Sequence, residues 1–195
     1  EQTAADDPID RPETEEVQQY EAGLKYSSPT LGAFVTGFWS KLDNTPFSDE
    51  VVEEGTGDLV PLDLLADSET FGLEAEVVWE PLPGARLDVT STIQNPEINN
   101  LRFDGPPVGG VTDEELAQLD GNQVTRIPKF ILSATPSYET ELPGNRTFAI
   151  FGTWRHLGDR FNDFANRNLL PDYSRFDAGV DFGIASDVTL QARVE

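Results

Sequence analysis

Phe71-Gly72-Leu73-Glu74-Ala75-Glu76-Val77-Val78-Trp79-Glu80 leads through Pro81-Leu82-Pro83-Gly84 into Ala85-Arg86-Leu87-Asp88-Val89-Thr90-Ser91-Thr92-Ile93-Gln94. In the first run Phe71, Leu73, Ala75, Val77 and Trp79 alternate with Gly72, Glu74, Glu76, Val78 and Glu80. In the second, Leu87, Val89 and Ile93 oppose Arg86, Asp88, Thr90, Thr92 and Gln94. Successive side chains of a strand point to opposite faces, so each run reads as a strand with one apolar and one polar face. The Pro- and Gly-rich tetrapeptide between them reads as a tight turn.

The same period recurs along most of the chain, and helical periodicity is nearly absent. It predicts eight strands, over Gln18–Ser28, Leu31–Leu42, Thr70–Glu80, Ala85–Gln94, Lys129–Glu141, Arg146–His156, Tyr173–Ala185 and Val188–Glu195. The seventh sets Phe176, Ala178, Val180, Phe182 and Ile184 against Arg175, Asp177, Gly179, Asp181 and Gly183. The eighth sets Val188, Leu190, Ala192 and Val194 against Thr189, Gln191, Arg193 and Glu195. The second leaves its facing open, because Phe34 and Phe38 fall on one side and Val35 and Trp39 on the other.

The connections decide the architecture. Ser28-Pro29-Thr30, Pro81-Leu82-Pro83-Gly84, Leu142-Pro143-Gly144-Asn145 and Ser186-Asp187 are short turns. Between them lie long connections, about Asp43–Glu69, Asn95–Pro128 and Leu157–Asp172. Strict alternation of short and long has no rationale in a soluble sandwich. It is what an antiparallel up-and-down transmembrane β-barrel produces, with short periplasmic turns and long outer loops. The first, third, fifth and seventh strands then run from outside to periplasm. Tyr20, Trp39, Trp154 and Tyr173 fall near the outer boundary, and Tyr26, Trp79 and Tyr138 near the inner one, two belts of the amphipathic aromatics that prefer a lipid–water interface. One helix is expected in the second long connection, over Val111–Leu119. Thr112 and Glu115 form its capping box and Gly121 its stop, and its acidity predicts a decoration of the outer surface.

Lys and Arg total 13 against 36 Asp and Glu, a formal net charge of −23. Such a surface repels a phosphate backbone, which argues against nucleic acid as a partner. The 12 Phe, 4 Tyr and 3 Trp argue against disorder, because those rings need an apolar surrounding. The sequence has no cysteine, so disulfides, thiolate metal sites and Cys nucleophiles are excluded within it. No apolar run reaches the roughly 18 residues a membrane helix needs. The acidic stretch Glu1 to Glu16 does not read as a signal peptide, which would have to lie upstream.

Several segments, in order, resemble the C-terminal barrel of TonB-dependent outer-membrane receptors. Arg11-Pro12-Glu13-Thr14 with Tyr20-Glu21-Ala22-Gly23-Leu24-Lys25 resembles the family's "PET…YE-x-G-x-K" segment, and Phe38 with Asp43-Asn44 fits the strand after it. Gly72-Leu73-Glu74-Ala75-Glu76 resembles its "G-x-E-x-E" strand. Ile127-Pro128-Lys129 and Tyr173-Ser174-Arg175-Phe176-Asp177-Ala178-Gly179 match later strands, and Thr189-Leu190-Gln191-Ala192-Arg193-Val194-Glu195 is similar to the strand that enters an "NLTD" turn. The resemblance implies residues 1–195 as the C-terminal portion of that barrel, about eight of the twenty-two strands such transporters carry, with the plug domain and last strand absent. It also implies a bacterial outer-membrane location, contact with lipid, TonB acting through the missing N-terminal part, and uptake of a siderophore or similar scarce nutrient held at the outer loops.

No catalytic, cofactor or metal site is expected, and the protein is read as a receptor and not an enzyme. His156, the lone histidine, could contact a ligand, but metal and catalytic sites need partners at set spacing and a surface histidine is favoured. Asp159-Arg160-Phe161-Asn162-Asp163 could hold calcium but lacks the glycine and closing glutamate of a calcium loop, so a solvated loop is favoured. Glu74, Glu76 and Glu80 could be paired acid/base carboxylates. In a barrel the same row lines a wet lumen, with Arg86 or Lys129 as counter-charges. Two other architectures stay open: a complete eight-stranded outer-membrane barrel with a structural or adhesive role, and a soluble sandwich binding carbohydrate through its aromatics.

Overall fold

The computed structural model describes residues 14–53, 55–104, 109–185 and 188–194. The turn at Ser186-Asp187 and the motif residues Arg11, Pro12 and Glu13 lie outside the described residues. The elements are β1 (Glu16–Ser27), β2 (Leu31–Val52), β3 (Leu59–Leu82), β4 (Ala85–Phe103), α1 (Asp113–Ala117), β5 (Phe130–Leu142), β6 (Arg146–Leu157), β7 (Arg160–Phe161), β8 (Leu169–Leu170), β9 (Tyr173–Ala185) and β10 (Val188–Val194). Eight strands form one antiparallel sheet in the order β1-β2-β3-β4-β5-β6-β9-β10, and β7 and β8 make a small hairpin inside the last long connection. The up-and-down order is therefore as expected. The sheet is open: among the described residues β1 and β10 do not pair, so the chain is not a closed eight-stranded barrel.

The cross-strand register makes the alternation of single strands into two continuous faces. Leu24, Val35, Ala75 and Ser91 are successive partners across β1 to β4, and Tyr26, Ala33, Val77 and Val89 are the next row. The row continues through Ala134, Trp154 and Phe176 on β5, β6 and β9. This face is apolar from edge to edge. Among the described residues nothing covers it: Leu24 is 76% exposed, Leu73 55% and Trp79 46%. A sandwich would have buried this face under a second sheet, so that architecture is dismissed. The opposite face carries Glu21, Lys25, Glu74, Glu76, Arg86, Asp88, Thr135, Arg155, Asp177 and Arg193.

The register also settles β2. Val35 pairs with Leu24 and Ala75 on the apolar face, while Phe34 pairs with Glu76 and Phe38 with Gly72 on the polar one. Both rings lie over glycines. A Cβ at Gly23 would come 2.9 Å from the Phe34 ring, and one at Gly72 2.7 Å from the Phe38 ring. Phe151 covers Gly179 in the same way, at 2.5 Å. Each glycine thus gives an aromatic ring a seat among polar neighbours, as ring-over-glycine pairs do between strands.

Tight turns close one end. Between β3 and β4, Pro83 fixes its own φ and Gly84 supplies a φ of 81°, while a Cβ there would fall 2.0 Å from the Glu139 carbonyl oxygen. At the other end the expected long loop over Asp43–Glu69 is mostly strand. β2 and β3 stay paired out to Val52 and Leu59, and β4 runs past Gln94 to Phe103. A barrel strand needs only about 9–11 residues to cross a bilayer, so the extensions rise beyond any membrane span.

Candidate functional site

The buried core of the described residues lies almost wholly at this loop end. Leu62, Leu64, Ala66, Ile98, Leu101, Leu116 and Val124 form it, with Phe47, Val51, Phe103, Leu119 and Phe164 packed against them. The side of the sheet it occupies follows from the register. Asn44 in β2 sits at a bulge with φ 60°, so that beyond it Phe47 pairs with Leu64 and Thr45 with Ala66. Leu64 and Ala66 continue the row of Gly72, Glu74 and Glu76, the polar face. The helix and the long connections therefore fold over the extension of the polar side and roof it.

The helix forms where expected. Thr112 accepts from Glu115 N–H while the Glu115 carboxylate accepts from Thr112 N–H at 3.0 Å, a reciprocal capping box. Gly121, at φ 86°, ends the segment. Its role differs from a surface decoration, because Leu116 is only 3% exposed and inserts into the core.

On the other face of the same extension, a polar clamp ties β2, β3 and β4 together at the bulges. Asp67 on β3 accepts from Asn44 N–H at 2.9 Å, from Asn100 Nδ2 at 2.8 Å and from Arg102 Nη1 at 3.3 Å. Arg102 also donates to Asn44 Oδ1. Asn44 and Asn100 both have positive φ, 60° and 49°, at bulges in the two strands flanking Asp67. Asparagine tolerates that conformation better than other residues with a Cβ. Burial pushes the Asp67 carboxyl upward, but the hydrogen bonds from Asn100, Asn44 and Arg102, with the charge of Arg102, outweigh it and hold its pKa below the ordinary 3.8.

The residues singled out in the sequence fall in different places. Glu74, Glu76 and Glu80 do share the polar face. Of the two candidate counter-charges, Arg86 pairs with Glu80 at 3.1 Å and with Asp88 at 2.6 Å, whereas Lys129 stands at the far end of the sheet, next to β5's first residue. His156 lies on the apolar face between the rings of Phe130 and Trp154, at 5.7 and 6.4 Å, with Nδ1 3.1 Å from Ser174 Oγ. Asp163 accepts backbone N–H from Arg167 and Asn168, at 3.2 and 2.6 Å, so it shapes its own turn. Among the described residues no group of acidic and histidine side chains is arranged to hold a metal ion.

Tyr20 and Trp39 meet at the loop end of the apolar face, 5.7 Å apart, and Trp154 stacks on Phe176 at 6.2 Å. Tyr26, Trp79 and Tyr138 occupy that face at the turn end. Tyr173 departs from the expected belt: it pairs with Leu157 in the polar-face register, and Arg160 lies over its ring at 5.7 Å.

An open sheet with one apolar and one polar face, tight turns at one end and a roof at the other is a segment of barrel wall. The family model described as "TonB dependent receptor-like, beta-barrel" matches residues 7–195. The chain belongs to that family. It is a family of outer-membrane transport receptors, not enzymes. Solved structures agree with the fold. The ferric yersiniabactin uptake receptor FyuA of Yersinia pestis matches with a TM-score of 0.68 at 14% identity, covering 92% of this chain and 24% of that one. The siderophore receptor PiuA of Acinetobacter baumannii matches with a TM-score of 0.68 at 21% identity, over 91% and 23%. BauA, the ferric preacinetobactin receptor of the same species, gives 0.62 at 19%, over 91% and 24%. The chain thus spans about a quarter of the length of these receptors. Among curated proteins no sequence matches.

Proposed function

We propose that this chain is the C-terminal part of the barrel wall of an outer-membrane receptor that imports a ferric siderophore or a similarly scarce nutrient. The apolar face is the lipid-facing surface, the polar face lines the lumen, and the roofed end is the extracellular mouth where ligand is captured. TonB supplies the energy through the receptor's N-terminal part. The observation that carries this reading is the unbroken apolar face across eight strands, with large side chains bare along it. Bare apolar surface of that extent has no place in water, whereas hydrocarbon accommodates it while the lumen solvates the other face. Family membership supplies the receptor role, and the three neighbours whose printed names refer to siderophores or their iron complexes support that ligand class.

The test is growth on iron supplied by the ligand. The full-length receptor is expressed in an iron-starved Gram-negative host stripped of its own siderophore receptors and given a panel of ferric siderophores. Growth on at least one, lost when TonB is deleted, is expected. Growth on none, or growth indifferent to TonB, would refute the proposal.

A further inference from the structure

A seam joins residues 122–126 to residues 161–166. Asn122 Nδ2 donates to the Phe164 carbonyl at 2.7 Å, Gln123 N–H donates to Asn166 Oδ1 at 2.8 Å, and Asn166 Nδ2 returns to the Gln123 carbonyl at 3.0 Å. Arg126 closes it, with its N–H on the Phe161 carbonyl at 2.7 Å and its Nε on Asn162 Oδ1 at 3.0 Å. Arg126 does so at φ 63°, a conformation that costs an arginine energy and persists only where the surroundings impose it. A glycine would keep the backbone bond to Phe161 without that cost and would give up only the exposed Nε bond to Asn162.

The cost secures a fixed guanidinium. Asn162 uses only the Nε–H, and the two terminal amino groups have no partner among the described residues. The carboxylate beside it, Asp163, is engaged by the N–H groups of Arg167 and Asn168. Arg126 borders an open hollow of about 390 Å³ that Phe47, Thr125 and Phe164 also line. Phe47 and Phe164 meet edge to face at 5.0 Å, which makes one wall aromatic.

We propose that this hollow is a recognition subsite for an aromatic carboxylate. The terminal amino groups of Arg126 take the carboxylate as a fork, and the Phe47–Phe164 wall takes the ring. The site requires only binding, so it stands whether or not the receptor proves to import siderophores.

Benzoate and its neutral counterpart benzamide are titrated into the purified full-length receptor by calorimetry. Benzoate should bind at least about tenfold more tightly than benzamide, because a charged hydrogen-bonded pair is at stake. Arg126→Gln should abolish that preference and leave benzamide binding unchanged. Arg126→Gly removes fork and strain together, so it should lose benzoate while melting at or above the wild-type temperature. A wild type that does not distinguish the two probes, or an R126Q protein that keeps the preference, would overturn the proposal. So would an R126G protein that melts lower, since Arg126 would then be holding the roof together.

Discussion

The ring of Phe38 lies directly over Gly72 on the neighbouring strand, so close that a Cβ on the glycine would come within 2.7 Å of it. The same Cβ would also meet the Ile93 carbonyl oxygen at 2.6 Å, whereas the three nearest neighbours of an alanine Cβ at Gly23 would all be side-chain atoms, of Phe34 and Thr36. Both substitutions should destabilise by about 1–3 kcal/mol through overpacking. Trimming the covering ring separates them. Phe34→Ala should largely relieve Gly23→Ala, while Phe38→Ala should leave most of the Gly72→Ala penalty in place, because backbone cannot step aside as a ring can. Denaturation midpoints of the full-length receptor in detergent measure both.

Asp67 gathers three donors from two flanking strands, so Asp67→Ala leaves the donors of Asn44, Asn100 and Arg102 without their acceptor. A loss of about 2–3 kcal/mol is expected, confined to the strand extensions and read by amide exchange of β2 and β4 beyond the bulges. The pH dependence has a definite sign. A carboxyl whose folded pKa is depressed contributes its stability in full above the unfolded value of 3.8 and loses it as pH falls through the lower folded value. Wild type should therefore shed protection of these strand extensions below about pH 4, and Asp67→Asn should show a flatter profile in that window.

The orientation has its own test. If the roofed end is outside, protease added to intact cells should reach the β2–β3 tip near Gly55 and Gly57 and the Gly109–Gly110 segment, while the Pro143-Gly144 turn stays intact. The paired arms Thr45–Val52 and Leu59–Ala66 should resist, because ladder backbone is not free to enter a protease. Cleavage at Gly144 alone would invert the orientation.

How far the sequence could be read follows from where one face meets a uniform surrounding. Along β3 from Phe71 to Trp79 the alternation is unbroken, and the strand's facing follows from it directly. Past Leu42 and Gln94 it fails for a physical reason. The bulge at Asn44 shifts the phase, so Phe47 points to the side opposite Trp39 although both are odd-numbered. Pro46, Pro61 and Pro96 then sit inside strands, where proline ordinarily argues for a loop. Asn44 and Asn100, residues at ease with positive φ, are the signals from which the bulges could have been inferred. Leu116 reads as part of an acidic surface helix, because the partners that bury it come from β3 and β4. Arg126 carries no local mark at all, since nothing in Thr125-Arg126-Ile127 announces a left-handed arginine.

The central claim is that alternate residues of one strand face lipid and water, and β3 tests it most directly. The sequence contains no cysteine, so single cysteines placed at Leu73, Ala75 and Val77, and at Glu74, Glu76 and Val78, report on the two faces. Each is labelled with a fluorophore in the full-length receptor, reconstituted in bilayers carrying lipid-attached quenchers, and probed in parallel with water-soluble thiol reagents. Strong lipid quenching with slow aqueous labelling is expected at 73, 75 and 77, and weak quenching at 74, 76 and 78. Consistent with that split, Val77→Arg should cost roughly 2–4 kcal/mol against hydrocarbon, and Val78→Arg, beside Glu76 and Glu80 in a wet lumen, far less. Equal quenching on both sets, or stronger quenching at 74, 76 and 78, would contradict the assignment of lipid to the apolar face.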